Sequence, residues 1–355
     1  MSEWKDGTLG EFITLRRGHD LPERIRIPGE YPVFSSSGIT GYHNEYKVSD
    51  SGVITGRYGT IGQVFFTATA HWPLNTTLYV EDFKGNNKKF IYYLLQTLEW
   101  SSFADVASAV PGINRNHVHL ANVSIPETTN EQQSIAEVLS SLDDKIDLLT
   151  RQNATLEALA QTYFRQWFVE KETMIGRLDS IAQITMGQSP SGDSYNEDGR
   201  GTVFFQGRAE FGWRYPTIRL YTTEPQRMAR KGDILMSVRA PVGDINIATE
   251  DCCIGRGLAS IHSDYPTFVL YALKEQTEQL AIFDGEGTVF GSITKEGLNG
   301  LDIHLPNINR IKDFETSFSI LDKKIDNNTN QIQTLQKLRD TLLPKLISGE
   351  MRVTL

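Results

Sequence analysis

The sequence predicts an α+β protein in which two repeated globular α/β domains are separated by two long antiparallel helices that form a coiled-coil spacer. Two observations predict it: sequence features recur at an almost constant offset, and each half ends in a long stretch with helical hydrophobic periodicity. We therefore divide the chain into a first globular domain (1–126), a first spacer helix (127–170), a second globular domain (171–306) and a second spacer helix with a tail (307–355).

The internal repeat rests on three pairs of segments that lie 179 to 181 positions apart. These pairs are Leu142–Asp147 with Leu321–Asp326, Pro126 with Pro306, and Gly52–Ile54 plus Gly62 with Gly232–Ile234 plus Gly243. A period this long excludes a solenoid of short repeats and indicates two copies of a whole domain with its helix.

Each globular part is rich in glycine, aromatic and β-branched residues, which is typical of short strands joined by turns. The strand candidates are Ser51–Thr55, Gln63–Thr67 and Thr77–Val80 in the first half, and Val203–Gln206, Asp233–Val238 and Asp244–Ala248 in the second. Turns are predicted at Ser37-Gly38 and Gly85-Asn86, and amphipathic helices over Lys88–Ser101 and Thr267–Ile282.

The long helices are predicted over Glu131–Phe168 and Ile311–Leu346, where apolar residues alternate at spacings of three and four. Pro126 and Pro306 precede them, and Pro344 and Gly349 are expected to close the second. At 1.5 Å per residue, each helix would be roughly 50–55 Å long.

An antiparallel pairing of these helices is expected because a globular domain lies between them in the chain. Matching them end to end sets Ile135 against Leu346 and Trp167 against Phe314. Asn153 then faces Asn328, and a buried polar pair of this kind fixes the register of a coiled coil. The alternative is that each asparagine turns toward solvent.

Composition restricts the class of protein. The 355 residues are 39% hydrophobic and 22% charged, with no apolar run long enough to span a membrane. The first residues lack the apolar core of a signal peptide, so we do not expect secretion. Cys252 and Cys253 are neighbours, so we expect neither a disulfide framework nor a metal site, and a cytoplasmic location.

The net charge of −9 does not favour a polyanionic partner. However, basic residues gather in one segment, where only Glu210, Glu224 and Asp233 oppose them. They are Arg208, Arg214, Arg219, Arg227, Arg230, Lys231 and Arg239. A basic surface for phosphate contacts and an ordinary solvated surface are both compatible with this pattern.

Motifs for catalysis are not apparent. The glycine-rich segments Gly56–Gly62 and Asp284–Gly287 lack the Gly-Lys-Ser/Thr ending of a phosphate-binding loop and are interpreted as turns. His117 and His119 alternate on an expected strand without partners at metal-ligand spacing.

The sequence resembles the specificity subunits of type I restriction–modification systems, and the resemblance covers essentially the whole chain. Its carriers are Ser124–Pro126, Asn130–Ala136 and Leu142–Ile146 in the first half, Ile184–Ser191 and Gly232–Leu235 in the second, and Leu342–Glu350 at the end. The chain departs from the family pattern at Asn307–Ile311 and at Arg16–His19.

The resemblance implies two target-recognition domains, each of which recognises one half of a split double-stranded DNA site. Two methylation subunits would bind the chain, and two restriction subunits are optional further partners. The chain would be non-catalytic and bind no cofactor itself, whereas S-adenosylmethionine, ATP and Mg would bind the partner subunits. The alternative function is a coiled-coil scaffold whose globular halves bind proteins or sugars.

Candidate DNA contacts are polar residues, expected on loops, that can pair with base edges or phosphates. In the first half they are Arg16, Arg17, Ser36, Arg57, Tyr58, Asn75, Asn114 and Arg115. In the second half they are Gln188, Gln206, Arg208, Arg214, Arg239 and Arg256.

The long helices also carry apolar residues outside the predicted seam. They are Leu148, Leu159, Phe164, Phe168, Leu338 and Leu343. These positions need a second partner, which is either a methylation subunit or the globular domains of this chain.

Overall fold

A computed structural model describes residues 3–105, 112–170, 174–284 and 291–353. The chain divides into two compact units. Unit 1 comprises Met1–Thr150 with Asn330–Leu355, and unit 2 comprises Arg151–Thr329. Each unit therefore contains one globular domain together with a segment of each long helix.

The first half of the chain forms a series of short strands and helices that ends in a long helix. In order, its elements are β1 (Trp4–Thr8), α1 (Leu9–Phe12), β2 (Thr14–Arg17), β3 (Tyr31–Ser35), β4 (Gly38–His43), β5 (Gly52–Gly56), β6 (Val64–Thr67), β7 (Trp72–Pro73), β8 (Thr77–Asp82), α2 (Lys88–Gln96), β9 (Ala104–Asp105), β10 (Gly112–Ile113), α3 (Arg115–His119), β11 (Asn122–Pro126) and α4 (Thr129–Phe164). A π-helical turn, Arg165–Val169, follows α4.

The second half follows the same general plan. Its elements are β12 (Ile175–Arg177), β13 (Gln183–Met186), β14 (Tyr195–Asn196), β15 (Thr202–Phe205), β16 (Leu220–Thr222), β17 (Met228–Ala229), β18 (Ile234–Ser237), β19 (Ile245–Ile247), β20 (Cys252–Ile254), β21 (Leu258–His262), α5 (Pro266–Glu275), α6 (Thr277–Ala281), α7 (Lys295–Asn299), β22 (Asp302–His304) and α8 (Ile308–Ile347). The α+β class with two repeated domains and two long helices is thus confirmed.

The main sheets of the two units have matching topologies. In unit 1 the main sheet has the order β2-β8-β5-β6, and in unit 2 the order is β13-β21-β18-β19. A second sheet in each unit contains one parallel pair, β3 with β7 and β15 with β20. The first and last strands of each domain also pair, β1 with β11 and β12 with β22.

Apolar packing joins each globular domain to the helix segments of its own unit. In unit 1, Ile135 and Leu139 of α4 and Leu346 of α8 lie in the same core as Phe90 and Leu94 of α2. Residues that alternate with these around each helix stay polar, so one helix face packs against the domain.

In unit 2 the corresponding core is aromatic. Phe164 and Phe168 are fully buried and pack on Phe268 of α5 and Phe314 of α8. Burial of this kind contributes about 1.5–3 kcal/mol per large apolar side chain. Phe164 and Phe168 thus have their partners inside this chain, and so does Leu343, which packs on the core of unit 1.

The two long helices run antiparallel within unit 2. Trp167 lies against Phe314, with ring centroids 5.9 Å apart, and the earlier residue Asn153 lies against the later residue Asn328. Asn328 donates its side-chain N–H to Asn153 Oδ1 at 2.8 Å and to Gln152 Oε1 at 2.9 Å, and Asn153 donates to Thr329 Oγ1 at 3.3 Å. Both asparagines therefore face the partner helix and not solvent.

Two local expectations were wrong. The segment with His117 and His119 is the helix α3 and not a strand. Asn114 caps this helix by accepting a hydrogen bond from the Asn116 N–H, and Val118 is the buried residue of the helix. Pro344 lies within α8, three residues before its end. The glycine-rich segment 284–287 extends outside the described residues.

Candidate nucleic-acid interface

Loops at one end of the main sheet come together in unit 1. The N–H of Arg57, which follows β5, donates to the carbonyl of Thr76 at 2.9 Å, and the N–H of Asn75 donates to the carbonyl of His19 at 3.0 Å. Arg57 in turn accepts from the N–H of Ile113 at 3.0 Å. Three predicted contacts, Arg57, Tyr58 and Asn75, therefore lie in one loop cluster, together with His19.

Tyr58 and Arg57 form the central part of this cluster. The Arg57 guanidinium lies 4.5 Å from the centre of the Tyr58 ring, and its Nε donates to the Ile113 carbonyl at 3.3 Å. The Tyr58 ring crosses Gly112, where an added Cβ would come within 2.2 Å of a ring carbon. A side chain at residue 112 would displace the tyrosine, so the glycine permits this arrangement. Ser36 lies in the turn between β3 and β4 and is half-buried.

Arg16 and Arg17 lie on strand β2 and not on a loop. Arg16 forms an ion pair with Glu81, and this hydrogen bond raises the pKa of the arginine. Arg17 lies 3.8 Å from Asp20, which also accepts a hydrogen bond from Asn75. Neighbouring carboxylates thus offset part of the positive charge that the sequence suggested here.

Asn114 and Arg115 begin the short helix α3, directly after the strand residue Ile113. The Asn114 side chain accepts the Asn116 N–H at 3.0 Å, so its oxygen is engaged in capping. Arg115 is exposed, and it contributes with burial to a lowered pKa of His119.

Unit 2 has a matching loop cluster built from Gln188, Gln206 and Arg256. The N–H of Gln188 donates to the Ile254 carbonyl at 3.0 Å, and the N–H of Arg256 donates to Ser189 Oγ at 3.2 Å. The N–H of Gly255 donates to the carbonyl of Phe205, immediately before Gln206, at 2.8 Å. All three candidate side chains are exposed.

Arg239 and Arg208 flank this cluster. Val238 donates its N–H to the carbonyl of Gly257 at 2.9 Å, which places the exposed Arg239 beside the loop of Arg256. Arg208 is also exposed, but its Nε lies 2.5 Å from Asp244.

Arg214 does not belong to this surface, which corrects the sequence-based expectation. It is 3% exposed and forms ion pairs with Glu157 of α4 and Asp322 of α8. Burial opposes its charge, but Asp322 and neighbouring groups keep the pKa of Arg214 raised. Its guanidinium is engaged with both long helices and is not available to a base edge.

In the folded structure, carboxylates neutralise part of the charge of the basic segment. Arg208 pairs with Asp244, and Arg219 pairs with Glu197 and Glu210. Most of these carboxylates come from outside the segment, so sequence proximity could not reveal them.

One residue of the clusters, His19, was not among the sequence candidates. His19 occupies the loop after β2 in unit 1. The offset of 179 to 181 residues could not have found it, because that offset leads from His19 to Asp198–Arg200, where the second half has no candidate.

The described part of the chain contains no cluster of His, Cys, Asp or Glu suited to a metal ion. Cys252 and Cys253 are both buried, and burial raises the pKa of the Cys252 thiol to about 12. Among the described residues, no helix has the length and apolar character needed to cross a bilayer.

When the chain is compared with known protein families, it matches the model described as type I restriction modification DNA specificity domain. The model fits this chain twice, over residues 1–158 and 170–337. The chain belongs to this family. Two copies of a DNA specificity domain agree with the two loop clusters, and a subunit of this kind acts on DNA together with other subunits of a restriction–modification system.

Individual relatives agree with this assignment. The chain is 33% identical over 298 residues to a putative type I restriction enzyme MjaX specificity subunit of Methanocaldococcus jannaschii, covering 76% of this chain and 70% of that protein. It is 26% identical to the MjaIX specificity subunit of the same organism, covering 81% and 75%. The crystal structure of a type I S subunit from M. genitalium has the same fold, with a TM-score of 0.70, 18% identity and coverage of 99% and 97%.

Proposed function

We propose that each globular domain of this specificity subunit recognises one half of a bipartite double-stranded DNA target through its loop cluster. The observation that carries the proposal is the duplication of that cluster. Each copy presents side chains that can pair with base edges or phosphates: Ser36, Arg57, Tyr58, Asn75 and Arg115 in unit 1, and Gln188, Gln206, Arg208, Arg239 and Arg256 in unit 2.

Arginine and glutamine suit this role because they offer paired hydrogen-bonding groups to guanine and adenine. In unit 2, Gln206 and Arg256 stand on loops whose backbones are held by hydrogen bonds to neighbouring strands. A rigid backbone lowers the entropy lost when side chains bind.

The long helices would set the spacing of the two half-sites and bind two methylation subunits. Helices of roughly 50 Å correspond to about 15 base pairs at 3.4 Å per step. Leu148, Leu159 and Leu338 support the docking role, because they are 51%, 43% and 45% exposed on the long helices. Partly exposed leucines on a helix surface fit a protein partner that would cover them.

In this proposal the chain itself is non-catalytic. S-adenosylmethionine, ATP and Mg would bind the methylation subunits and the optional restriction subunits. The chain's contribution is sequence selection, and its acidic net charge of −9 means that tight DNA binding would require the assembled complex.

The proposal is tested by reconstituting the full chain with its methylation subunits and sequencing the methylated adenines in a randomised DNA library. The expected result is one bipartite motif that is absent without this chain. Arg256→Ala should relax or weaken one half of the motif by roughly 10-fold or more, since a good base contact contributes about 1–3 kcal/mol.

Arg200→Ala is the matched control. Arg200 precedes β15, whereas the candidate Gln206 follows it, and the Arg200 side chain pairs with Asp198 at an exposed position. The control should retain the wild-type motif. Methylation without sequence preference, or an identical motif without this chain, would contradict the proposal.

A further inference from the structure

The loop clusters of the two domains share the same backbone hydrogen bonds at equivalent positions. The N–H of His19 donates to the Pro73 carbonyl at 2.8 Å, and the N–H of Gln188 donates to the Ile254 carbonyl at 3.0 Å. Pro73 and Ile254 end the equivalent strands β7 and β20. His19 and Gln188 are therefore structural counterparts.

The preceding glycines strengthen this equivalence. Gly18 donates to the Thr77 carbonyl at 3.1 Å, and Gly187 donates to the Leu258 carbonyl at 2.9 Å. An added Cβ would lie 2.1 Å from a backbone oxygen at either glycine, Leu74 O or Gly255 O respectively. Only glycine permits so close an approach of two backbones, so the position of the next residue is fixed in both domains.

Two further pairs follow from the same correspondence. Arg57 and Val238 donate to the carbonyls of Thr76 and Gly257, both at 2.9 Å, which makes the next residues, Tyr58 and Arg239, counterparts. Each of these two residues forms an isolated bridge, Tyr58 with Gly112 and Arg239 with Ser292. Thr76 and Gly257 are therefore equivalent, and the residues directly before them, Asn75 and Arg256, are also counterparts.

We infer that His19, Tyr58 and Asn75 are the specificity-determining set of the first domain, at the same three positions as Gln188, Arg239 and Arg256 in the second. The inference rests on the proposed DNA-reading function and adds His19 as a base-contacting residue. Different side chains on a shared backbone arrangement would give the two domains different half-sites.

The chemistry of His19 fits this role. The ring is half-buried, and its centroid lies 6.5 Å from that of Trp72 and 5.9 Å from that of Tyr79. Its Nε2 lies 3.5 Å from the Tyr79 hydroxyl. Burial lowers the pKa of His19, and the positive charges of Lys47 and Arg16 act in the same direction against Glu81 and Asp20. The neutral imidazole offers one donor and one acceptor nitrogen, and the amide of Gln188 likewise combines donor N–H groups with an acceptor oxygen.

The other two positions differ in the bases that they favour. Arg239 and Arg256 suit the paired acceptors of guanine, whereas Asn75 suits adenine. The half-site of the second domain is accordingly expected to contain guanine at the positions that these arginines contact.

The test uses the full chain with its methylation subunits and the randomised library. His19→Ala should reduce discrimination in one half of the motif by about 10-fold or more, and Gln188→Ala should do so in the other half. Each half-site serves as the internal control for the variant in the opposite domain. His19→Gln should retain a sharply defined but altered half-site.

Three outcomes separate the hypotheses. If folded His19→Ala and His19→Gln proteins both give the wild-type motif, the inference is overturned. If the His19 and Gln188 variants alter the same half, the equivalence of the two positions is overturned. If the wild-type complex yields no bipartite motif, the proposed function itself fails.

Discussion

Asn328 donates its side-chain amide to the side-chain oxygen of Asn153 at 2.8 Å, and the two residues are 0% and 2% exposed. The pair lies where the long helices of unit 2 pack together. An amide in an apolar seam is stable only if its hydrogen bonds are satisfied by the opposing helix, so the pair selects one register over shifted alternatives.

Replacing one asparagine of the pair should lower the free energy of unfolding, because the other asparagine stays buried. Asn153→Leu or Asn328→Leu removes one hydrogen-bond partner of the other buried amide, and each should lower the free energy of unfolding by about 1–3 kcal/mol. The double variant should lose less than the sum, as measured by urea unfolding of the full chain. Asn327→Leu, at an exposed position of α8, is the control, and strictly additive losses would contradict the coupling.

A tyrosine–aspartate hydrogen bond joins each domain to its helix. Tyr93 donates to Asp143 Oδ2 at 2.7 Å, and Tyr271 donates to Asp322 Oδ1 at 3.3 Å, the two aspartates being equivalent residues of the repeat. Tyr93→Phe should lower stability by about 1–2 kcal/mol, because Asp143 loses a donor in a partly buried site. Tyr42→Phe, at a side chain 53% exposed, should have little effect.

The same tyrosines should resist ionisation. Burial is the main cause that raises the pKa of Tyr93 and Tyr271, with the nearby aspartate acting in the same direction. In an ultraviolet titration, both should ionise only after the exposed tyrosines. The variants Tyr93→Phe and Tyr271→Phe identify the two residues, because each variant loses the absorbance change of its own tyrosine. If that change occurs at the same pH as the change of the exposed tyrosines, the expectation is refuted.

His71 should make stability fall as the solution becomes acidic. The residue is 0% exposed, and burial lowers its pKa in the folded protein. The unfolded chain therefore takes up the proton first, so this contribution is constant above about pH 6.5 and declines as the pH falls toward the folded pKa. His71→Asn should flatten part of that decline in unfolding measurements from pH 7 to 5, whereas the exposed His117→Asn should not.

Arg214 should be far more important for stability than Arg208. Arg214→Ala removes the partner of Glu157 and Asp322 in a buried site and should cost about 3–5 kcal/mol. Arg208→Ala breaks a half-exposed pair with Asp244 and should cost less than about 1 kcal/mol. Unfolding in urea compares the two. Equal losses would contradict the buried role.

The sequence by itself determined the repeat and the two long helices, and it offered the pairing of Asn153 with Asn328 as one of two alternatives that the structure decided. The repeat and the helices follow from patterns that lie along the chain: the offset near 180 residues and the three-and-four spacing of apolar residues. Helical periodicity is local, so it survives without knowledge of tertiary contacts.

The tertiary structure alone decided which polar residues share a surface. Arg214 stands in the basic segment yet is buried against Glu157 and Asp322, which are 57 and 108 residues away. Conversely, His19 joins Asn75 in one loop cluster through backbone hydrogen bonds between distant strands. Charge pairing and loop convergence depend on distances in space, which the order of residues does not give. The repeat, in contrast, is a property of that order and can be recognised from the sequence.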